Sequence, residues 1–365
     1  MMNIDGIMRK LLEKYRLVQY IVCGRNRYGT LKPGIQCHVE LFKNDINHGD
    51  IVHPCIRYIQ EGYEGHKWWM VYTPYYRADA SMENPILCYA ESKDNKPPME
   101  WKVYCEVNER PSDGYNSDPV LLYENEKLYV FWRENHSPNS LSEGFERATY
   151  VAEVRDGSVQ KYKTSVVGTS DKEDDPETSP AFLKDNNGKY VCYATHLRFH
   201  SKFFRNLPSI INKPVNVILN VIDLLGLYSQ QKAYGLAIWY SNILTDRFKY
   251  IKTVKFKNKN ALYRPWHLDV FCCKQKTYLV IQSNQCNADI LLAESTDGEN
   301  FSIFKKPLMT NKTCDKVGLY KPCAGVIDGT FYLYYTAQDA DNRSLNKLYL
   351  TTISWNELIN KLRTL

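Results

Sequence analysis

The sequence predicts an all-β fold, a five-bladed β-propeller, carrying an N-terminal helix, a helical insertion in blade three and a short C-terminal helix. Two observations predict it. A Tyr- and Val-rich strand recurs five times, at 67–75 (KWWMVYTPY), 127–134 (KLYVFWRE), 189–197 (KYVCYATHL), 276–284 (KTYLVIQSN) and 330–339 (TFYLYYTAQD). Before each lies a turn, and before the turn a shorter strand with proline near its start: His53-Pro54, Asp118-Pro119, Ser179-Pro180, Arg264-Pro265 and Lys321-Pro322. Repetition at roughly 40–90 residues with four strands per unit is the pattern of propeller blades. The innermost strands of such blades converge on one axial pocket, so the residue before each proline becomes a candidate for a single shared site.

The elements follow in order. Residues 1–50 read as a helix and then one or two ring-closing strands. Ile7, Met8, Leu11, Leu12 and Tyr15 recur at helical spacing with basic residues between them, and 34–42 (GIQCHVELF) is the clearest strand. The propeller itself spans 51–354. Blade one covers 51–108, blade two 116–168, blade three 177–256, blade four 262–309 and blade five 318–354. In blade four, Asp297-Gly298 supplies the positive-φ turn of a hairpin between DILLAES and FSIFKK. Blade three is too long, and the excess at 199–231 contains the apolar run 215–227, so a helical insertion is expected there. Blade five shows only three strands before a helix at 355–365. Its fourth strand is expected from 18–42, which would close the ring and remove an exposed edge.

Composition narrows the function. The chain has 365 residues, enough for one large repeat domain. Its 47 basic and 41 acidic residues leave a net charge of +6, mild and mixed, which argues against nucleic acid as a partner. The 11 cysteines include no CxxC pair and fall mostly inside strands. They read as reduced, buried small hydrophobes of a cytosolic chain, and no metal or other cofactor is expected. The first 20 residues lack the apolar core of a secretion signal, and no apolar run is long enough to span a membrane. Burying 215–227 against the propeller or in a homo-oligomer contact is the simpler expectation. Peripheral membrane contact through 199–231 is the alternative, because Arg198, Lys202 and Arg205 flank Phe199, Phe203 and Phe204.

Several residues stand out as chemistry. Asp118 opens an inner strand, where the bland alternative is a turn-capping aspartate. Glu83 follows the second strand of blade one, close to Tyr75. His267 and Asp269 alternate along one strand and so face one side, next to Trp266. His53 is the blade-one counterpart of Asp118. Arg57, Arg133, Arg198 and Arg264 lie on or beside four inner strands, and guanidiniums converging on an axis would grip a carboxylate or phosphate. Trp69, Tyr75, Trp132 and Trp266 are candidates to stack on a sugar ring.

The stretches His53-Pro54, 62–85 (GYEGHKWWMVYTPYYRADASMENP), 117–119 (SDP) and 266–270 (WHLDV) together resemble five-bladed propeller proteins related to glycoside hydrolase family 43 and the arabinanases and fructosidases. The resemblance covers roughly residues 50–340. It implies a carbohydrate ligand and a glycosidase-like activity, hydrolysis or transglycosylation, on an acidic or substituted glycan. It implies that Asp118 is a catalytic or pKa-setting carboxylate, and that Glu177 stands near the family's acid glutamate, one residue out of register. Glu83 or Asp269 would then be the second carboxylate, since glycoside cleavage places two across the bond. His53 and His267 would orient the sugar, and Arg57, Arg133 or Arg264 would hold an anionic substituent. In the family an aspartate often follows His-Pro and Asp-Pro; here Cys55 and Val120 stand there. A non-catalytic glycan-binding propeller or polysaccharide-assembly component is the second reading, and a sugar transferase the third.

Overall fold

The computed structural model describes residues 29–42, 49–75, 79–136, 146–162, 166–168, 178–185, 187–196, 235–257, 265–283, 289–314, 316–339 and 345–364. Five antiparallel sheets stand around an axis, each meandering from the inside outward. Blade one runs Val52–Tyr63, His66–Thr73, Ile86–Ala90 and Glu100–Glu106. Blade two runs Gly114–Glu124, Lys127–His136, Glu146–Arg155 and Ser158–Lys161. Blade three is Thr178–Lys184, Tyr190–His196, Gly235–Ser241 and Lys249–Thr253. Blade four is Pro265–Cys273, Lys276–Ser283, Ile290–Ser295 and Asn300–Ile303. Blade five contributes Pro322–Ile327, Thr330–Asp339 and Asn346–Ser354.

The local sequence explains the meander. Asn125-Glu126, Lys274-Gln275 and Asp328-Gly329 each place two successive residues at positive φ between inner and second strands. That is the tight-turn geometry whose twist matches paired strands. The aromatic residues mostly serve the blade interfaces. Tyr63 meets Tyr123 between blades one and two, Phe131 stacks on Phe182 at 4.1 Å between two and three, and Tyr193 meets Phe301 between three and four. Phe271 meets Phe331 between four and five, and Trp68 meets Tyr332 between five and one.

The fourth strand of blade five is Ile35–Gln36, antiparallel to Asn346–Ser354 with Ile35 opposite Leu350. The segment expected as one strand over 34–42 is two short ones. After Cys37, His38–Val39 leaves blade five and pairs in parallel with Glu100–Glu106 of blade one. The turn of direction lets one stretch of chain stitch both sides of the ring's seam. Lys255–Lys257 does the same between blades three and four, pairing in parallel with Asn300–Ile303. The C-terminal helix Trp355–Arg363 buries Trp355, Leu358 and Leu362, one face at helical spacing, with Trp355 against Phe271, Tyr278 and Phe331. Among the described residues, no helix is long and apolar enough to cross a membrane. The expected helix near the N-terminus and the insertion 199–231 lie outside the described residues.

Candidate functional site at the propeller axis

Three of the residues before proline reach the axis through a repeated backbone device. His53, Asp118 and Ser179 adopt φ of 53, 50 and 52°, the left-handed region that non-glycine residues avoid. At each, the pairing with the second strand slips: between Val52 and Cys55, between Ser117 and Val120, and between Thr178 and Ala181. A bulge there swings the side chain out of the pleat. Strain of this kind costs about 1–3 kcal/mol per residue and gathers at functional sites. Blade four slips between Pro265 and His267, and places His267 in the same group.

The upper layer is built around Asp118, which is 1% exposed. Its Oδ2 accepts from Arg133 Nη2 at 2.8 Å and from the Ser179 amide at 3.2 Å. Its Oδ1 accepts from Ser179 Oγ at 3.2 Å and faces His53 Nε2 at 3.6 Å and His267 Nδ1 at 3.5 Å. Burial alone would raise the Asp118 carboxyl, but Arg133, His53, His267 and Lys321 outweigh it and hold the group far below the usual carboxylate range. Burial and the neighbouring His53 push His267 well down, so its imidazole is neutral. Ser179 Oγ also contacts His267 Nδ1, while His267 Nε2 is buried with no hydrogen-bond partner.

Glu83 enters from the loop after blade one's second strand. Its Oε2 accepts from Ser117 Oγ and lies 3.3 Å from His53 Nδ1, which also meets Thr73 Oγ1 at 2.8 Å. His53 is therefore clamped between two carboxylates. Tyr320 closes the group, its ring 4.3 Å from that of His267 and 5.4 Å from that of His53. Burial, with Asp118 and Glu83 nearby, raises the Tyr320 phenol, so it keeps its proton. Lys321, 2% exposed, donates to the Pro119 carbonyl at 3.3 Å beneath Asp118.

A second layer lies along the same inner strands. Asp269 pairs with Arg57 through Nη2 at 2.7 Å and Nη1 at 3.2 Å, and accepts from the Ala324 amide at 3.0 Å. Cys55 and Cys323 sit beside this pair. Burial would raise Asp269, but Arg57, the Ala324 amide and Cys323 together hold it below its usual range. A depressed folded-state pKa contributes stability above the unfolded value of about 3.9 and loses it only as pH falls through the lower folded value. Asp269→Asn leaves the Arg57 charge buried without its partner. Urea titration at pH 7 should show a loss of about 3–5 kcal/mol. The difference from wild type should narrow in titrations below about pH 4; a constant gap would rule out the ion pair as its source.

The structure sorts the sequence candidates. His53, Asp118, His267 and Glu83 come together with Arg133 in one layer, and Asp269 with Arg57 in the next. Trp266 borders the site, with its ring 6.0 Å from that of His267 and its side chain beside the Tyr320 phenol. The Tyr75 amide donates to Asp50 at 2.8 Å, and its phenol lies near enough to Glu83 to be raised by it after burial. Trp132 is a correction. It is fully buried, packed against Tyr150 and Lys161 away from the axis, and cannot stack on a ligand. Trp69 is likewise buried, among Tyr63, His66 and Tyr104. Arg57 and Arg133 are axial, but each is committed to an axial carboxylate rather than free for an anionic substituent. Glu177, Arg198 and Arg264 lie outside the described residues. Sequence reasoning named Ser179 and Lys321 only as residues before proline, without a role, and passed over Tyr320. Ser179 and Lys321 carried the same residue-before-proline signal as His53 and Asp118, and Tyr320 carried a weaker one, the repeat of Leu-Tyr-Arg-Pro (262–265) as Leu-Tyr-Lys-Pro (319–322).

Two sets of side chains have ligand atoms grouped for a metal ion, each within 4.8 Å of one another: His53, Asp118 and His267, and Cys55, Asp269 and Cys323. The first set fits a divalent cation. Glu83 and Thr73 hold His53 Nδ1, and if that nitrogen carries the proton, the Nε2 lone pair points at the anionic oxygen of Asp118. Two electron-rich atoms face each other there, the arrangement a cation resolves, and a carboxylate behind the histidine is the usual support of a metal ligand. In the second set the Arg57 guanidinium already takes the cation's place.

The fold is that of known five-bladed propellers. An N-acetylgalactosamine deacetylase from F. plautii, in complex with blood group B trisaccharide, matches with a TM-score of 0.63 at 15% identity, over 91% of this chain and 97% of that one. A GH43_1 enzyme from Xanthomonas citri matches with a TM-score of 0.57 at 12% identity, over 84% and 89%. A family 117 glycoside hydrolase from Zobellia galactanivorans matches with a TM-score of 0.55 at 11% identity, over 89% and 91%. No family model and no curated protein matches the sequence.

Proposed function

We propose that the protein is a carbohydrate-active hydrolase that works on a substituted glycan from the axial pocket, with a divalent cation held by His53, Asp118 and His267. The observation that carries this is the cluster itself: two imidazoles turned onto one oxygen of a buried carboxylate, with ligand atoms within 4.8 Å of one another. Two nitrogens and one oxygen suit a borderline ion such as Zn²⁺ or Mn²⁺. Such an ion supplies polarisation of a carbonyl and an acidified water. Glu83, through His53 Nδ1, fixes the imidazole and stands ready to take a proton. Tyr320, kept neutral, can donate to oxygen charge that develops in the transition state. Arg133 and Ser179 hold Asp118 in place. Removal of an acyl substituent from a sugar is the reaction this set suits, and the deacetylase among the structural neighbours supports it. An acidic substituent is not favoured, because Arg57 and Arg133 are both neutralised within the protein.

Glycoside cleavage is the second reading. His53 separates Glu83 from Asp118 by one imidazole and two contacts, a spacing of the order that two-carboxylate cleavage uses, roughly 5–9.5 Å. The family 43 and family 117 neighbours support it. Against it, Asp118 is enclosed and firmly ionised, so any proton donor has to be another group. The test is a panel of N-acetylated and O-acetylated oligosaccharides beside xylo-oligosaccharides and nitrophenyl glycosides, with and without a chelator. Acetate release that stops on chelation and returns with Zn²⁺ or Mn²⁺ is expected. Cleavage of glycosides untouched by chelator would transfer the proposal to the second reading. Binding without turnover in either panel would make the protein a glycan-binding module.

A further inference from the structure

Cys55 and Cys323 occupy the same place in two neighbouring blades. Each follows the repeated proline, in His53-Pro54-Cys55 of blade one and Lys321-Pro322-Cys323 of blade five. Both are buried, and both are free thiols. Blades one and five are also the pair that meets at the seam, where Ile35–Gln36 and His38–Val39 tie the start of the described chain to blade five and blade one. The Cys323 sulfur accepts from the Ile56 amide at 3.0 Å and donates to the Ile56 carbonyl at 3.4 Å. The Cys55 sulfur accepts from the Leu121 amide at 3.2 Å. Arg57 Nη1 lies 3.5 Å from the Cys323 sulfur. The two sulfurs lie within 4.8 Å of each other. The backbone thus fixes each sulfur and aims both into one small volume.

We infer that Cys55 and Cys323 form a redox pair whose disulfide latches the inner strand of blade one to that of blade five across the ring seam. The Arg57–Asp269 ion pair fills the charge requirement of this layer, which leaves the thiols to react with each other rather than to bind a cation. With a hydroperoxide as oxidant, the two thiols lose two protons and two electrons, one S–S bond forms, and the peroxide O–O bond breaks to give water and, from hydrogen peroxide, a second water. The inner strands of blades one and five approach each other closely and bring the sulfurs within 4.8 Å, and a disulfide needs Cα atoms about 4.4–6.8 Å apart. The loop it closes runs through nearly the whole ring, the case in which a cross-link restrains the unfolded chain most.

The experiment uses the full chain and needs no variant to begin. The protein is held with hydrogen peroxide a few degrees below its melting temperature, so that buried thiols are sampled. It is then quenched with an alkylating agent under denaturing conditions and digested without reductant. A peptide joining Cys55 to Cys323 is expected, together with a melting temperature raised by roughly 5 °C or more that thiol reductant reverses. Cys323→Ala should abolish the rise without preventing folding, since an alanine there removes one sulfur from a strand interior. Recovery of both cysteines as alkylated thiols, as separate sulfinic acids, or joined to other cysteines instead of each other would overturn the inference.

Discussion

Asp118→Asn is expected to lower turnover by about 100-fold or more, the usual consequence of losing a group that holds the reacting centre. The substitution keeps the shape and an acceptor for the Ser179 amide. It removes the negative charge toward which Arg133, His53 and His267 are all turned. The same loss costs stability, because Arg133 is then a buried cation without its counter-charge, a change worth about 3–5 kcal/mol in comparable pairs. Activity and folding therefore have to be read separately. Circular dichroism at the assay temperature should show an intact β-protein, and cation content measured on the purified variant should fall below that of wild type. A folded Asp118→Asn chain that retains activity within tenfold of wild type would remove Asp118 from the chemistry. Ser179→Ala supplies the graded comparison. It deletes the contacts to Asp118 Oδ1 and His267 Nδ1 without deleting a charge, so a smaller loss, about tenfold, is expected if Ser179 only positions those two groups.

How much of this was legible in the sequence depends on the range of the interaction. Strand period and residue-before-proline repetition are local, and they gave the five blades and placed His53 and Asp118 on inner strands. The positive φ at both residues was not legible, since only the bulged pairing with the second strand reveals it. Asp269 shows the same limit. Its alternation with His267 correctly put both on one side of a strand, yet the propeller axis has depth, and two residues along the strand is enough to move from the histidine layer to the Arg57 layer. Trp132 was misread because aromatic residues serve two purposes in this fold. Stacking on a sugar and packing between blades look alike in sequence, and Trp132 belongs to the packing. The grouping of His53, Asp118 and His267 was invisible for a different reason. Its members come from three blades, 65 and 149 residues apart by their positions 53, 118 and 267, so no spacing rule joins them. Tyr320 stands in Leu-Tyr-Lys-Pro at 319–322, a repeat of Leu-Tyr-Arg-Pro at 262–265 in blade four, but two blades out of five make a weaker signal than the proline itself.

Closing the ring through residues 29–39 should be worth a large part of the protein's stability. Ile35–Gln36 covers the outer edge of Asn346–Ser354, and His38–Val39 covers that of Glu100–Glu106. The same stretch buries Leu31, Cys37 and Val39, and the Thr30 and Leu31 amides donate to the Pro307 and Leu308 carbonyls of blade four's end. Leucine and valine side chains fully buried contribute about 1.5–3 kcal/mol each. A chain lacking residues 1–40 loses all of this together and exposes two strand edges. The melting temperature is expected to fall by roughly 10 °C or more, given about 2–4 °C per kcal/mol for large domains, and the unfolding transition to broaden. Gly34→Val tests the same seam with a single change. A Cβ at Gly34 would sit 2.9 Å from the Leu350 carbonyl oxygen and 3.0 Å from the Tyr335 ring, whose hydroxyl accepts from the Gly34 amide at 3.0 Å. The backbone atom cannot give way, so the strand has to lift from Asn346–Ser354 and the axial layers lose the blade that carries Tyr320 and Lys321 as a fixed wall. Both variants should lose activity in proportion to their loss of cooperativity. If either melts within about 2 °C of wild type, the seam does not hold the ring, and the blades' own packing does.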